Sequence, residues 1–240
     1  MKVLAFDISS DYAHFRQPYS TTSSLTYAIP PRTAVLGIMG SILGIESGGF
    51  GKSEHVPKLE NSNVRIGVRV MKPIEKVRFN MNYSYTKADA ATKNVLHIQV
   101  PVEMVKEPIY RLYISADGAV FEKLESLVSN KECYYTPCLG ITEFIATVKY
   151  IGTYKARILV KPQKIYSAIY MSDGTNLVMS NGQKIFRETH AVSMDNYRHV
   201  TEYREIAYEA DGKPLIVSSV DPDSTVVGFA TPDEVAVMIR

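Results

Sequence analysis

No stretch of this 240-residue chain approaches the roughly 20 consecutive apolar residues that a membrane-spanning helix needs. Its first residues, MKVLAFDISSDYAHF, lack both the long apolar region and the small-residue cleavage site of a secretion signal, so a cytosolic protein is expected. Cysteine is scarce. Cys133 and Cys138 are five apart in CYYTPC, a spacing that fits neither a zinc knuckle nor a redox pair, and both read as reduced packing residues. Internal repeats and low-complexity tracts are missing, as is a hydrolase nucleophile elbow. Gly51-Lys52-Ser53 imitates the end of a phosphate-binding loop, but Glu46 stands where its first glycine belongs, and the segment follows a helix instead of a strand. Asp7 with Asp11, and Asp221 with Asp223, are isolated acid pairs of the kind that cap or turn a chain. No metal or cofactor is expected.

What is present begins with His14 to Ile45, HFRQPYSTTSSLTYAIPPRTAVLGIMGSILGI, where a polar loop runs directly into a glycine-pitted apolar helix. Pro30 and Pro31 suit the opening of a helix, where a missing N–H costs nothing. From Arg32 onward Val35, Leu36, Ile38, Met39, Ile42 and Leu43 are apolar almost all round, which predicts a buried helix. Gly37, Gly40 and Gly44, with Ser41, leave a shallow face although each glycine costs about 1 kcal/mol of helix propensity, so a sheet or another backbone should press there. The first turn at Arg32 and Thr33 exposes free N–H groups and a positive dipole end beside Arg16, a ready place for a phosphate. A core helix with a polar lead-in loop and no ligand satisfies the same pattern.

The formal charge of +2 hides segregation along the chain. Residues 64–99 carry Arg65, Arg69, Lys72, Lys76, Arg78, Lys87 and Lys93 against Glu75 and Asp89. Residues 149–187 carry Lys149, Lys155, Arg157, Lys161, Lys164, Lys184 and Arg187 against Asp173 alone, whereas residues 205–240 hold seven acids and two bases. Such a distribution suits a basic channel for a phosphate backbone and a separate acidic surface, although charge runs also arise as merely solvated faces.

Periodicity predicts an α+β protein. Lys2 to Ile8 reads as a first strand and the Pro-Pro helix follows it. Residues 64–79 alternate like a strand that Pro73 demotes to an edge or bulge; polar 80–94 comes next, then the strand-like VLHIQVPVEMV and IYRLYIS. A helix fits Gly118 to Ser129, and a last strand runs through 141–150. Strand, helix, strand, strand, helix, strand is the ferredoxin-like order shared with RNA-recognition motifs. Residues 1–150 are expected to form this domain, with a hairpin insertion at about 80–97. Residues 151–240, with turn signals at Asp173-Gly174, Asn181-Gly182 and Asp211-Gly212, read as a small β-rich domain. The aromatics of an RNP1 motif are absent from the central strands, so RNA would run over loops and helix ends.

His-Phe-Arg, Pro-Tyr-Ser-Thr-Thr, Leu-Thr-Tyr, Ile-Pro-Pro-Arg-Thr and Gly-Ile-Met-Gly-Ser-Ile-Leu-Gly, together with TPCLGITEF at 136–144, resemble the signature segments of CRISPR-associated protein 5. The resemblance covers residues 1 to about 150 well and the last 90 weakly. It implies a prokaryotic cytoplasmic subunit of a type I Cascade antiviral complex, most like the type I-B form. This subunit caps the 5′ handle of the CRISPR RNA and contacts the backbone and large subunits, meeting target DNA only through the complex. The hairpin would be a thumb bending the guide, with Tyr83, Tyr85, Lys87, Lys93 and His97 offering stacking and phosphate contacts. His14, Arg16, Tyr19, Tyr27, Arg32 and Thr33 would meet the handle, Gly140 would let backbone approach the RNA, and Lys149, Lys155 and Arg157 would line its path. The type I-C form of the family instead cuts precursor RNA with a Tyr, an adjacent Lys-His pair and no metal. No adjacent Lys-His occurs here; His14, Tyr27, Lys93 and His97 are the nearest approximations, so the expected protein is non-catalytic, with metal-independent endoribonuclease as the alternative.

Overall fold

Apolar residues stand on both faces of KVLAFDIS, and this makes Lys2–Ser9 (β1) a central strand. In a computed structural model, which describes residues 1–18, 24–84, 97–159, 164–221, 224–230 and 233–239, it pairs on one side with β8 (Ile109–Ser115) and on the other with β9 (Thr147–Lys155). With β5 (Arg65–Val70) the sheet order is β5-β8-β1-β9, every neighbour antiparallel. Helix α1 (Arg32–Leu43) lies in sequence between β1 and β5, and α3 (Gly118–Asn130) between β8 and β9. The fold is mixed α/β, rich in strands and poor in helices.

Leu4, Phe6 and Ile8 face α1 and α3 in the main core. On the opposite face Val3, Ala5 and Tyr113 pack against Val227 and Phe229 of β17 (Thr225–Ala230) and Ala236 and Met238 of β18 (Asp233–Met238). The rings of Tyr113 and Phe229 stack at 5.2 Å. Helix α1 is buried nearly all round, as its composition predicts, and ends at Gly44 in the left-handed region. Its shallow face is filled differently from expectation. The side chain of His55, at the start of α2 (His55–Glu60), presses on it, its Cβ lying 3.3 Å from where a Cβ at Gly40 would be.

Two strand boundaries depart from the sequence reading. Residues 64–79 are two strands, because Pro73 can donate no ladder hydrogen bond. The second piece, β6 (Lys76–Ser84), leaves the main sheet and pairs with β7 (His97–Lys106), from Lys76↔Val105 to Ser84↔His97. The hairpin arms therefore begin before residue 80, and β7 also holds β2 (Tyr12–Ala13). The last strand of the main sheet is Thr147–Lys155, not 141–150: residues 141–144 turn, and an isolated bridge joins Cys138 to Ile145.

A short ribbon, β3 (Phe15–Arg16) with β4 (Thr26–Tyr27), leads into α1. Among the described residues the rest is β structure. β10 (Arg157–Ile158) joins β17 and β18; β11 (Lys164–Ile165) and β13 (Asn176–Val178) flank β16 (Leu215–Ser219); β12 (Ile169–Tyr170) and β14 (Ile185–Met194) flank β15 (Val200–Glu209). The three Gly-containing turn signals all fall between these strands. The halves share one core, in which Leu36 and Ile206 belong to the same cluster. Ile66 and Ile239 exchange two backbone hydrogen bonds of 2.8 and 2.7 Å.

Candidate nucleic-acid interface

The loop from β2 to β3, the small face of α1 and the segment 136–141 enclose a groove of about 680 Å³. Thr33 and Ala34 of the first helical turn line it, with Gly37 and Ser41 further along, Ser53 and His55 opposite, Tyr83 from the hairpin, and Arg198 from the β14–β15 turn. Among the described residues, two arginines and two histidines face the groove and no carboxylate does. Arg16 is exposed and makes no ion pair among the described residues. Arg198 is held by donation from its Nε to the Lys52 carbonyl at 3.0 Å. The helix start carries no side-chain cap and no acidic residue in its first turn, so the positive end of its dipole is not offset locally.

Both histidines are tuned toward neutrality. Burial lowers the pKa of His55, and the nearby Arg198 charge adds to the effect. Burial also lowers that of His14, helped by Arg16 and opposed by the Glu103 carbonyl. His14 Nδ1–H donates to that carbonyl at 2.7 Å, which leaves Nε2 to accept from the Ser24 hydroxyl at 2.8 Å. The ring is locked as a wall. It holds neither nitrogen free to take a proton from a ligand.

His14, Arg16, Thr33, Tyr83 and Gly140 all line the groove. Arg32 does not. Its side chain is buried, with Nη1 on Glu60 at 2.9 Å and on the Val192 carbonyl, and Nη2 on the Val64 carbonyl. Tyr27 is likewise a core residue, donating to the Thr189 carbonyl at 2.8 Å, its ring 4.4 Å from that of His190. Gly140 approaches closely, but to protein: its neighbour is the His14 backbone. His97 is exposed at the far end of β7, while Lys149, Lys155 and Arg157 are exposed on β9 and β10, outside the groove. Tyr19, Tyr85, Lys87, Lys93 and Lys161 lie outside the described residues.

Between residues 65 and 78 the first basic run is paired within the molecule. Arg65 bonds Thr225, Arg69 pairs with Glu234 at 2.5 Å, Lys72 with Glu107, and both Lys76 and Arg78 with Glu103. Sequence reasoning missed His55 and Arg198. A lone His after GKSE carries little signal, but the DNYRH tip, with Tyr, Arg and His on a hairpin turn, is the kind of exposed basic-aromatic cluster that binds nucleic acid. Among the described residues no group of three or more His, Cys, Asp or Glu could hold a metal ion, and no helix is long and apolar enough to cross a membrane.

Chains of similar fold occur among CRISPR proteins of known structure. A crystal structure of a CRISPR protein from Archaeoglobus fulgidus superposes with a TM-score of 0.64 at 15% identity over 100% of both chains. A chain of a CRISPR RNA-guided surveillance complex gives 0.54 at 11% identity, covering 91% of this chain and 90% of its own. One from the type III-B Cmr-beta complex bound to cognate target RNA and AMPPnP gives 0.53 at 14%, covering 91% and 86%. A search of the curated proteins finds no match. The family model described as CRISPR-associated protein (Cas_Cas5) matches residues 3–208, and the chain belongs to that family.

Proposed function

We propose that this chain is a non-catalytic RNA-binding subunit of a CRISPR effector complex of the type I-B kind, capping the 5′ handle of the guide RNA. The observation that carries the reading is the groove itself, which offers Arg16, Arg198 and an uncapped helix start with no facing carboxylate among the described residues. Family membership supports a place in such a complex, and the order β9-β1-β8-β5 with two intervening helices supports a ferredoxin-like first domain. The β6–β7 hairpin takes the thumb's part. Its exposed Phe79, Tyr83 and Ile98 offer stacking surface to a strand or a neighbouring subunit. The exposed cations Lys149, Lys155 and Arg157 form a second, separate basic surface that contacts the complex outside the groove.

Binding of labelled single-stranded repeat RNA across a salt series tests this. Arg16→Glu and Arg198→Glu should each weaken binding and reduce the salt slope by about 0.7. Unchanged affinity in both would remove the groove from the RNA path. Incubation of the same RNA with the wild type, with and without EDTA, should leave it intact. Metal-independent cleavage at one site would instead establish the endoribonuclease.

A further inference from the structure

Arg32, which faces away from the RNA groove, lines a second cavity of about 520 Å³. Three buried polar atoms with no hydrogen-bond partner among the described residues belong to that lining: Arg32 Nε, Tyr170 Oη and Ser224 Oγ. Buried polar groups are nearly always satisfied, so three around one space point to something that fills it. Arg204 stands at the rim with its guanidinium 4.9 Å above the Tyr170 ring, and its Nε donates to Glu202 at 2.5 Å. The strand pairing of β14 with β15 shifts register on both sides of Ser193. That irregularity frees the Val192 carbonyl to accept from Arg32 and sets Ser193 opposite Glu202 on the cavity wall.

We propose that this cavity binds a proton-bearing phosphate group. The floor and rim present Arg32 Nε–H, two hydroxyls and the Nη groups of Arg204, more donors than a carboxylate ligand can accept from but a match for the four oxygens of a phosphate. Glu60 and Glu202 supply the specificity. Both residues line the cavity, and each gives one oxygen to an arginine, at 2.9 and 2.5 Å, with a second carboxylate oxygen left as an acceptor. A P–OH can donate to such an oxygen, whereas sulfate at neutral pH can accept from the same donors but has no proton to offer and faces the two carboxylates with repulsion. The cavity is roomier than a bare ion needs, so free phosphate and a small phosphomonoester are the two sources of the same chemistry.

Thermal melting of the full chain at pH 6.5 and constant ionic strength, titrated with inorganic phosphate, sulfate or a nucleoside monophosphate, tests the assignment. Saturating phosphate should raise Tm by about 5 °C, as expected for a folded-state ligand near a hundred times its Kd, and sulfate should not. Tyr170→Phe keeps the ring under Arg204 and removes a hydroxyl that has no hydrogen-bond partner among the described residues. That variant should melt like wild type without phosphate and bind it at least tenfold more weakly. A saturating monophosphate would identify a phosphomonoester as ligand, and a response to inorganic phosphate alone would identify the free ion. Equal responses to phosphate and sulfate, no saturable response, or full affinity in Tyr170→Phe would each overturn the proposal.

Discussion

A Cβ placed on Gly140 would lie 1.8 Å from the carbonyl oxygen of His14. The backbone at Gly140 has φ +98, and the adjacent Leu139 carbonyl accepts from the His14 N–H at 3.0 Å. The TPCLG segment is therefore fastened to the loop that forms one wall of the groove. Gly140→Ala must both move that loop and adopt a disfavoured backbone, at a cost of about 3 kcal/mol or more. Gly51→Ala, also at positive φ but with nothing within 4 Å, should cost only about 1 kcal/mol. Urea denaturation of the two variants measures the difference, and equal losses would show that strain alone matters.

Arg32 and Arg16 should separate cleanly when mutated. Arg32→Ala leaves the partly buried Glu60 carboxylate and two backbone carbonyls without their donor, so it should lose about 3 kcal/mol of stability. Arg16→Ala should melt within about 0.5 kcal/mol of wild type while weakening RNA binding. A stable Arg32→Ala protein would contradict the buried ion pair.

Stability should fall on acidification. Burial holds both His14 and His55 below the ordinary 6.5 in the folded protein. The unfolded chain therefore takes up protons near 6.5 that the folded chain refuses. Their contribution is fully present above about 6.5 and is lost as pH falls through the lower folded values. The double variant His14→Gln, His55→Gln should show a flatter stability profile between pH 7.5 and 5.5 by chemical denaturation; a profile as steep as wild type would assign the slope to other groups.

Replacing residues 85–96 with a short Gly-Ser turn should leave Tm unchanged, because the arms stay paired from Lys76↔Val105 to Ser84↔His97 and lie outside the main sheet. Stacking is worth about 1–3 kcal/mol per base, so affinity for handle-containing RNA should fall at least tenfold. Full affinity in a normally melting variant would make the hairpin dispensable for RNA.

Strong local signals were legible in the sequence. The Pro-Pro opening and the apolar run from Val35 give α1 its place, and the apolar residues of Lys2 to Ile8 give the first strand its place. What was not legible depends on partners distant in sequence. Arg32 looked like a phosphate ligand because Glu60 and Val192 cannot be seen beside it in the sequence. The basic run at 65–78 looked free because Glu103, Glu107 and Glu234 lie far along the chain. Arg198 was overlooked for the same reason: only the fold brings that turn to the start of α1.

The position of β1 also sets the timing of folding. Its two ladders, Leu4 with Ile114 and Leu4 with Thr153, join this strand to strands far downstream in the chain. At about 5–20 residues per second, a strand apolar on both faces waits on the order of ten seconds for its neighbours. During that interval KVLAFDIS is an apolar segment in a growing chain, open to wrong partners until both of its ladders can close.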